Sequence, residues 1–148
     1  MDDLYQEIIM EHNRNPKNFG TINKPDISND AFNPLCGDSI TIYLLFENNK
    51  IKDIKFESKG CAISKASASL MTEVLLDKDT SLATKTIQEF HKMITENENN
   101  DYNEEILGDS VALSNLSKYP NRIKCATMCW HAAKESINSY INNSTIGG

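Results

Sequence analysis

The sequence predicts an α+β fold, a single domain in which a small antiparallel sheet of about three strands packs against helices. Three observations predict it. Ser39 to Phe46 is a run of β-branched and aromatic residues, and a second strand-like segment, Ile51 to Ser58, follows a short polar turn. Directly after that pair, Ala62, Ile63, Ala66, Leu70, Val74 and Leu75 recur at helical spacing. Finally, Tyr119-Pro120 opens a long segment with helical periodicity, as a proline in a first turn allows.

Taken in order, the chain begins with an amphipathic helix from about Asp3 to Asn13, with Leu4, Tyr5, Ile8 and Ile9 on one face. Asn15-Pro16 stops it, because a residue before proline is biased away from helix. Lys17 to Ala31 carries Gly20, Pro25 and several Asn and Asp residues, and reads as a loop with room for a short edge strand. Glu47-Asn48-Asn49-Lys50 joins the two strands as an antiparallel hairpin. Strict alternation in the second strand sets Ile51, Asp53, Lys55 and Glu57 against Lys52, Ile54 and Phe56. The next helix runs from Ala62 to Asp77. Asp79 or Thr80 caps another to about Asn97, with Leu82, Ile87, Phe90 and Ile94 inward. Glu96 to Glu105 is polar and acidic, a solvated loop, and Ile106 to Leu116 has room for one short helix. The last helix extends from Tyr119-Pro120 to about Tyr140, and residues 142–148 read as a frayed tail.

Composition narrows the function classes. Fifteen Lys and Arg stand against 21 Asp and Glu in 148 residues, a formal charge of −6. That balance argues against unspecific binding to nucleic acid or to an anionic membrane surface. Neither a signal peptide nor a membrane-spanning apolar run is expected, which points to the cytoplasm, where thiols stay reduced. Four cysteines there suggest metal or sulfur chemistry before disulfides.

The cysteines are not equivalent. Asn33-Pro34-Leu35-Cys36-Gly37-Asp38 sets a thiol and a carboxylate two residues apart on a turn that leads into a strand. Cys61 directly precedes a helix, where free amides and the helix dipole favour a thiolate. Cys125 lies one or two turns into the last helix. With Cys36 and Asp38 these make a Cys3Asp set, suited to tetrahedral zinc or an iron–sulfur cluster, against unrelated buried cysteines beside a turn aspartate. With a divalent cation such as zinc, that set would carry a formal charge of about −2. Arg122, three residues before Cys125, shares its helix face and is the cation best placed to answer that charge. Lys59 and Lys65 near Cys61 read as surface charges. Cys129, between Met128 and Trp130, reads as buried packing. A Cys125–Cys129 disulfide is disfavoured, since their Cβ atoms would lie about 5–6 Å apart on a helix. His12 and His91 fall in surface helices, and His131 lies on the far side of the helix from Cys125. None of the three histidines is expected to be a ligand.

Three motifs in order carry a resemblance: Asn33 to Asp38, then Gly60-Cys61-Ala62-Ile63-Ser64, then Arg122-Ile123-Lys124-Cys125-Ala126-Thr127. The N-terminal Leu4 to Ile9 and His12 to Pro16 segments agree with it. Nearly the whole chain resembles the NifU/IscU iron–sulfur scaffold family, and within it the SufU-type zinc-dependent sulfurtransferases. IscU-type members carry histidine where this chain has Lys124, and their stretch between the second and third cysteines is shorter. The resemblance implies that Cys36, Asp38, Cys61 and Cys125 bind Zn2+. It implies too that Cys36 accepts persulfide sulfur from a pyridoxal-phosphate-dependent cysteine desulfurase of the SufS type, for downstream iron–sulfur assembly proteins. A thiolate on a turn also leaves a metal more easily than one held in a helix. The alternatives are a non-enzymatic scaffold for an iron–sulfur cluster and a purely structural zinc domain.

Overall fold

Strand β2 (Asp38–Glu47) alternates buried and half-buried residues along most of its length, so Ile40, Ile42, Leu44 and Phe46 face the core. The structure is a computed structural model describing residues 3–34, 37–95 and 101–147. β2 is the central strand, flanked antiparallel by β1 (Ile27–Asn33) and β3 (Lys50–Lys59) in the order β1-β2-β3. The edge strand allowed for in the loop is therefore real. Asn48 and Asn49 both have positive φ (54° and 62°), the backbone a tight twisted hairpin requires.

One expectation fails in β3. Strict alternation puts Ile51 opposite to Ile54 and Phe56, yet all three are buried. Phe46 pairs with Ile51 and Leu45 with Asp53, so Lys52 is an extra residue that bulges out and returns Ile51 to the core face.

Helix α2 (Ala62–Leu75) runs through the middle of the molecule and touches α1 (Asp3–Arg14), β3 and α5 (Pro120–Gly147). Its serines are buried with its apolar residues because each finds a partner. Ser67 Oγ donates to the Ala126 carbonyl (2.6 Å) and accepts from Trp130 Nε1 (3.0 Å). Trp130 stacks on Phe90 of α3 (Thr80–Thr95), their ring centroids 3.8 Å apart. Asp79 caps α3 by accepting from the Leu82 amide (2.7 Å). Ile87, Phe90 and Ile94 face inward as expected, but Leu82 is 37% exposed and Ala83 takes the core position instead.

Other boundaries also move. Residues 96–100 of the acidic loop lie outside the described residues, whereas Glu104 and Glu105 belong to a short helix α4 (Glu104–Leu107), followed by a 3-10 segment, Gly108–Lys118. α5 continues to Gly147, so the frayed tail expected from residue 142 is helical up to that point. His12 is buried rather than on the surface, 6% exposed, with Nδ1 2.7 Å from Ser69 Oγ. Among the described residues no helix is long and apolar enough to cross a membrane.

Candidate metal centre

Asp38 opens β2, Cys61 follows the end of β3, and Cys125 lies on α5; the fold brings them to the N-terminus of α2. One donor atom from each lies within 4.8 Å of the others. Cys61 is the N-cap of α2, extended at φ −77° and ψ 162°, and its sulfur accepts from the Ser64 amide at 3.4 Å. A helix start offers unpaired amides and the positive end of the dipole, both of which favour anionic sulfur.

The carboxylate is held just as firmly. Asp38 is 1% exposed, and its Oδ1 accepts from the Cys61 amide (2.7 Å) while Oδ2 accepts from Ser64 Oγ (2.7 Å) and Cys61 Sγ (3.3 Å). Those donors satisfy a buried anion that would otherwise be costly. Gly60 makes the approach possible. At φ +136° it takes a backbone conformation few other residues adopt, and a Cβ there would overlap Asp38 Oδ1 and come within 2.8 Å of Asp38 Cα. Ser64 Oγ also lies 3.3 Å from the Cys125 carbonyl oxygen, linking α5 to the same knot.

Cys36 lies outside the described residues. On either side of it Asn33 and Asp38 pair across β1 and β2, and the Gly37 amide donates to the Asn33 carbonyl (2.8 Å) with Gly37 at φ +73°. Cys125 is half-buried, as is Cys61. Arg122 is exposed, and its guanidinium lies 5.7 Å from the Tyr119 ring centroid. Lys59 is exposed, whereas Lys65 is half-buried, its Nζ 5.2 Å from the Phe19 ring centroid. Cys129 is 1% exposed, and burial pushes its thiol up to about 12. His91 and His131 meet edge to face 5.9 Å apart on the α3–α5 side, and burial, with His91 adding to it, pulls His131 below its ordinary value.

Two residues that shape the centre were not singled out from the sequence. Ser64 stands three residues after Cys61, the spacing at which a residue's amide meets an N-cap side chain, and that spacing is the signal. Gly60 stands in the motif that carries the resemblance, but its role could not be read there, because its need arises from Asp38, far away in the chain.

The donor set of two sulfurs and one carboxylate suits a borderline-soft ion such as Zn2+. The model of the NifU-like N terminal domain matches residues 4–126. The chain belongs to this family. It is 41% identical to the zinc-dependent sulfurtransferase SufU of Bacillus subtilis (strain 168), over 93% of this chain and 91% of the relative. It is 34% identical to the iron–sulfur cluster assembly scaffold protein IscU of Streptococcus pyogenes serotype M1, over 96% of this chain and 87% of the relative. Among solved structures, FiSufU of Fervidobacterium islandicum AW-1, provisionally named a scaffold protein for iron–sulfur cluster assembly in the SUF system, superposes with a TM-score of 0.82. It is 32% identical, and the match covers 88% of this chain and 94% of that one. The predicted α+β architecture agrees with this relative.

Proposed function

We propose that this protein is a zinc-dependent sulfurtransferase of iron–sulfur cluster assembly, with Cys36, Asp38, Cys61 and Cys125 as the zinc ligands. The observation that carries the reading is the meeting of Asp38, Cys61 and Cys125 at one helix start, in a chain similar to a SufU. Zinc supplies a positive centre that keeps thiols deprotonated near neutral pH.

The sulfur step is borne by Cys36. Its thiolate attacks the sulfane sulfur of a persulfide on a SufS-type cysteine desulfurase, a pyridoxal-phosphate enzyme. A new S–S bond forms to Cys36, the bond to the desulfurase cysteine breaks, and that cysteine leaves as a thiolate, so no external oxidant or reductant is needed. Downstream iron–sulfur assembly proteins then receive the sulfur. Reduced thiols are required throughout, which places the activity in the cytoplasm. Arg122, one turn before Cys125, would stabilise the anionic sulfur of the acceptor.

The test is desulfurase turnover with and without this protein, with metal content measured alongside. Cys36→Ser should abolish the stimulation, and mass spectrometry should find the added sulfur on Cys36 of the native chain. Arg122→Ala should slow transfer while zinc is retained. Persulfide on Cys61 or Cys129, with Cys36→Ser still active, would overturn the assignment. A second reading, a scaffold that carries an iron–sulfur cluster, is favoured by relatives named as scaffolds. Protein purified without oxygen separates the two, since the scaffold would carry iron and sulfide in place of zinc.

A further inference from the structure

A second group of donors lies away from the thiols, and it contains no sulfur. His12 of α1, Glu73 of α2 and Asp109 of the 3-10 segment each offer one ligand atom, and these atoms lie within 4.8 Å of one another. We propose that His12, Glu73 and Asp109 form a site for a divalent first-row cation of the Mn2+ or Fe2+ class.

The histidine is what distinguishes this group from two carboxylates meeting at a surface. His12 is only 6% exposed, and Nδ1 lies 2.7 Å from Ser69 Oγ. Ser69 Oγ also accepts from the Lys17 amide (2.7 Å), and a hydroxyl oxygen can accept twice, so it can take Nδ1–H as well. That tautomer leaves the Nε2 lone pair for a cation, and Nε2 has no hydrogen-bond partner among the described residues. A metal-binding imidazole is commonly oriented in this way, by a hydrogen bond from its other nitrogen.

The carboxylates point the same way. Glu73 and Asp109 are exposed, and neither forms an ion pair with Lys, Arg or His among the described residues. Both carboxylates are therefore available to a cation held beside the imidazole. One imidazole and two carboxylates suit Mn2+ or Fe2+ with water in the remaining positions, whereas the thiol centre selects softer ions. Glu73 stands twelve positions after Cys61, about 18 Å along the helix, so the two centres are distinct. An ion here would tie together three elements, α1, α2 and the 3-10 segment.

The full chain, given one equivalent of zinc to occupy the thiols, is titrated with Mn2+ while free Mn2+ is followed by electron paramagnetic resonance. About one Mn2+ should bind per chain and broaden the His12 ring signals in the NMR spectrum. Glu73→Gln and Asp109→Asn, both at exposed positions, should each weaken Mn2+ by about tenfold or more, with the zinc content and the circular dichroism spectrum unchanged. Absence of Mn2+ binding overturns the proposal. So does binding that both variants leave untouched, or broadening around Cys61 in place of His12.

Discussion

Cys125 and Cys129 stand one helical turn apart on α5, yet their surroundings give them opposite chemistry. Cys125 is half-buried at the start of α2, with its sulfur gathered beside Asp38 and Cys61. Cys129 is buried against the middle of α2, 3.6 Å from Ser67 Oγ and 3.8 Å from the Ala126 carbonyl oxygen. The same side chain is a ligand candidate where α2 presents unpaired amides, and packing where α2 presents its flank. Position along the neighbouring helix, more than position on its own, decides what each thiol can do.

The largest expected effect comes from exchanging sulfur for oxygen at the two positions. Cys125→Ser should weaken zinc by roughly a hundredfold or more, since one strong ligand of the set is lost. Cys129→Ser should leave zinc affinity unchanged and cost only about 1–2 kcal/mol of folding stability. Competition with a chromophoric chelator reads the first, and urea unfolding of the zinc-loaded proteins reads the second. Equal zinc loss in both variants would erase the distinction.

A smaller effect is expected one layer out. Ser64→Ala removes the hydroxyl that donates to Asp38 Oδ2, while the backbone bonds to Asp38 and to the Cys61 sulfur remain. Removing such a supporting partner typically costs about 10–100-fold in metal affinity, so Ser64→Ala should fall between Cys125→Ser and Cys129→Ser. Ser64→Thr keeps the hydroxyl and should recover part of the loss. If Ser64→Ala binds zinc like the native chain, the Cys61 amide alone orients Asp38.

How far these differences could be read from the sequence depended on their range. Cys61 before a helix, Cys125 within one and Cys129 among apolar neighbours are local patterns, and each was legible. So were the hairpin at Asn48-Asn49 and the helix start at Asp79. Ile51 was misassigned because a one-residue bulge at Lys52 reverses the alternation, and no residue type announces it. Leu82 was placed inward on helical periodicity, but Ala83 takes the closer approach to the core. His12 was left on the surface because its partner, Ser69, is 57 residues away. Gly60 and Ser64 were passed over for the same reason: what they do is set by Asp38, which only the folded chain brings near. Patterns within one element survive translation into structure, whereas demands made across elements have to be seen.

The smallest expected effect concerns the proton on Cys129. Burial raises its thiol from an ordinary value near 9.0 to about 12, so the folded chain holds a proton that the unfolded chain releases earlier. The stability tied to that proton is fully present below the unfolded value. It is lost as pH climbs from there toward about 12, because the unfolded state ionises first. Tyr43 and Tyr102, with raised values, and Lys78, with a lowered one, titrate in the alkaline range too, so the native curve alone would not isolate the thiol. Subtraction does. Urea midpoints of the native chain and Cys129→Ala, both zinc-loaded, should differ by a constant amount up to about pH 9. Above it, the native advantage should shrink steadily. Alkylation gives an independent check. At about pH 8 in zinc-free folded protein, Cys61 and Cys125 should react while Cys129 does not, and denaturant should expose it. A pH-independent gap between the two midpoint curves, together with ready alkylation of Cys129 in the folded chain, would show that this thiol is as open as Cys125 and that one helical turn does not separate them.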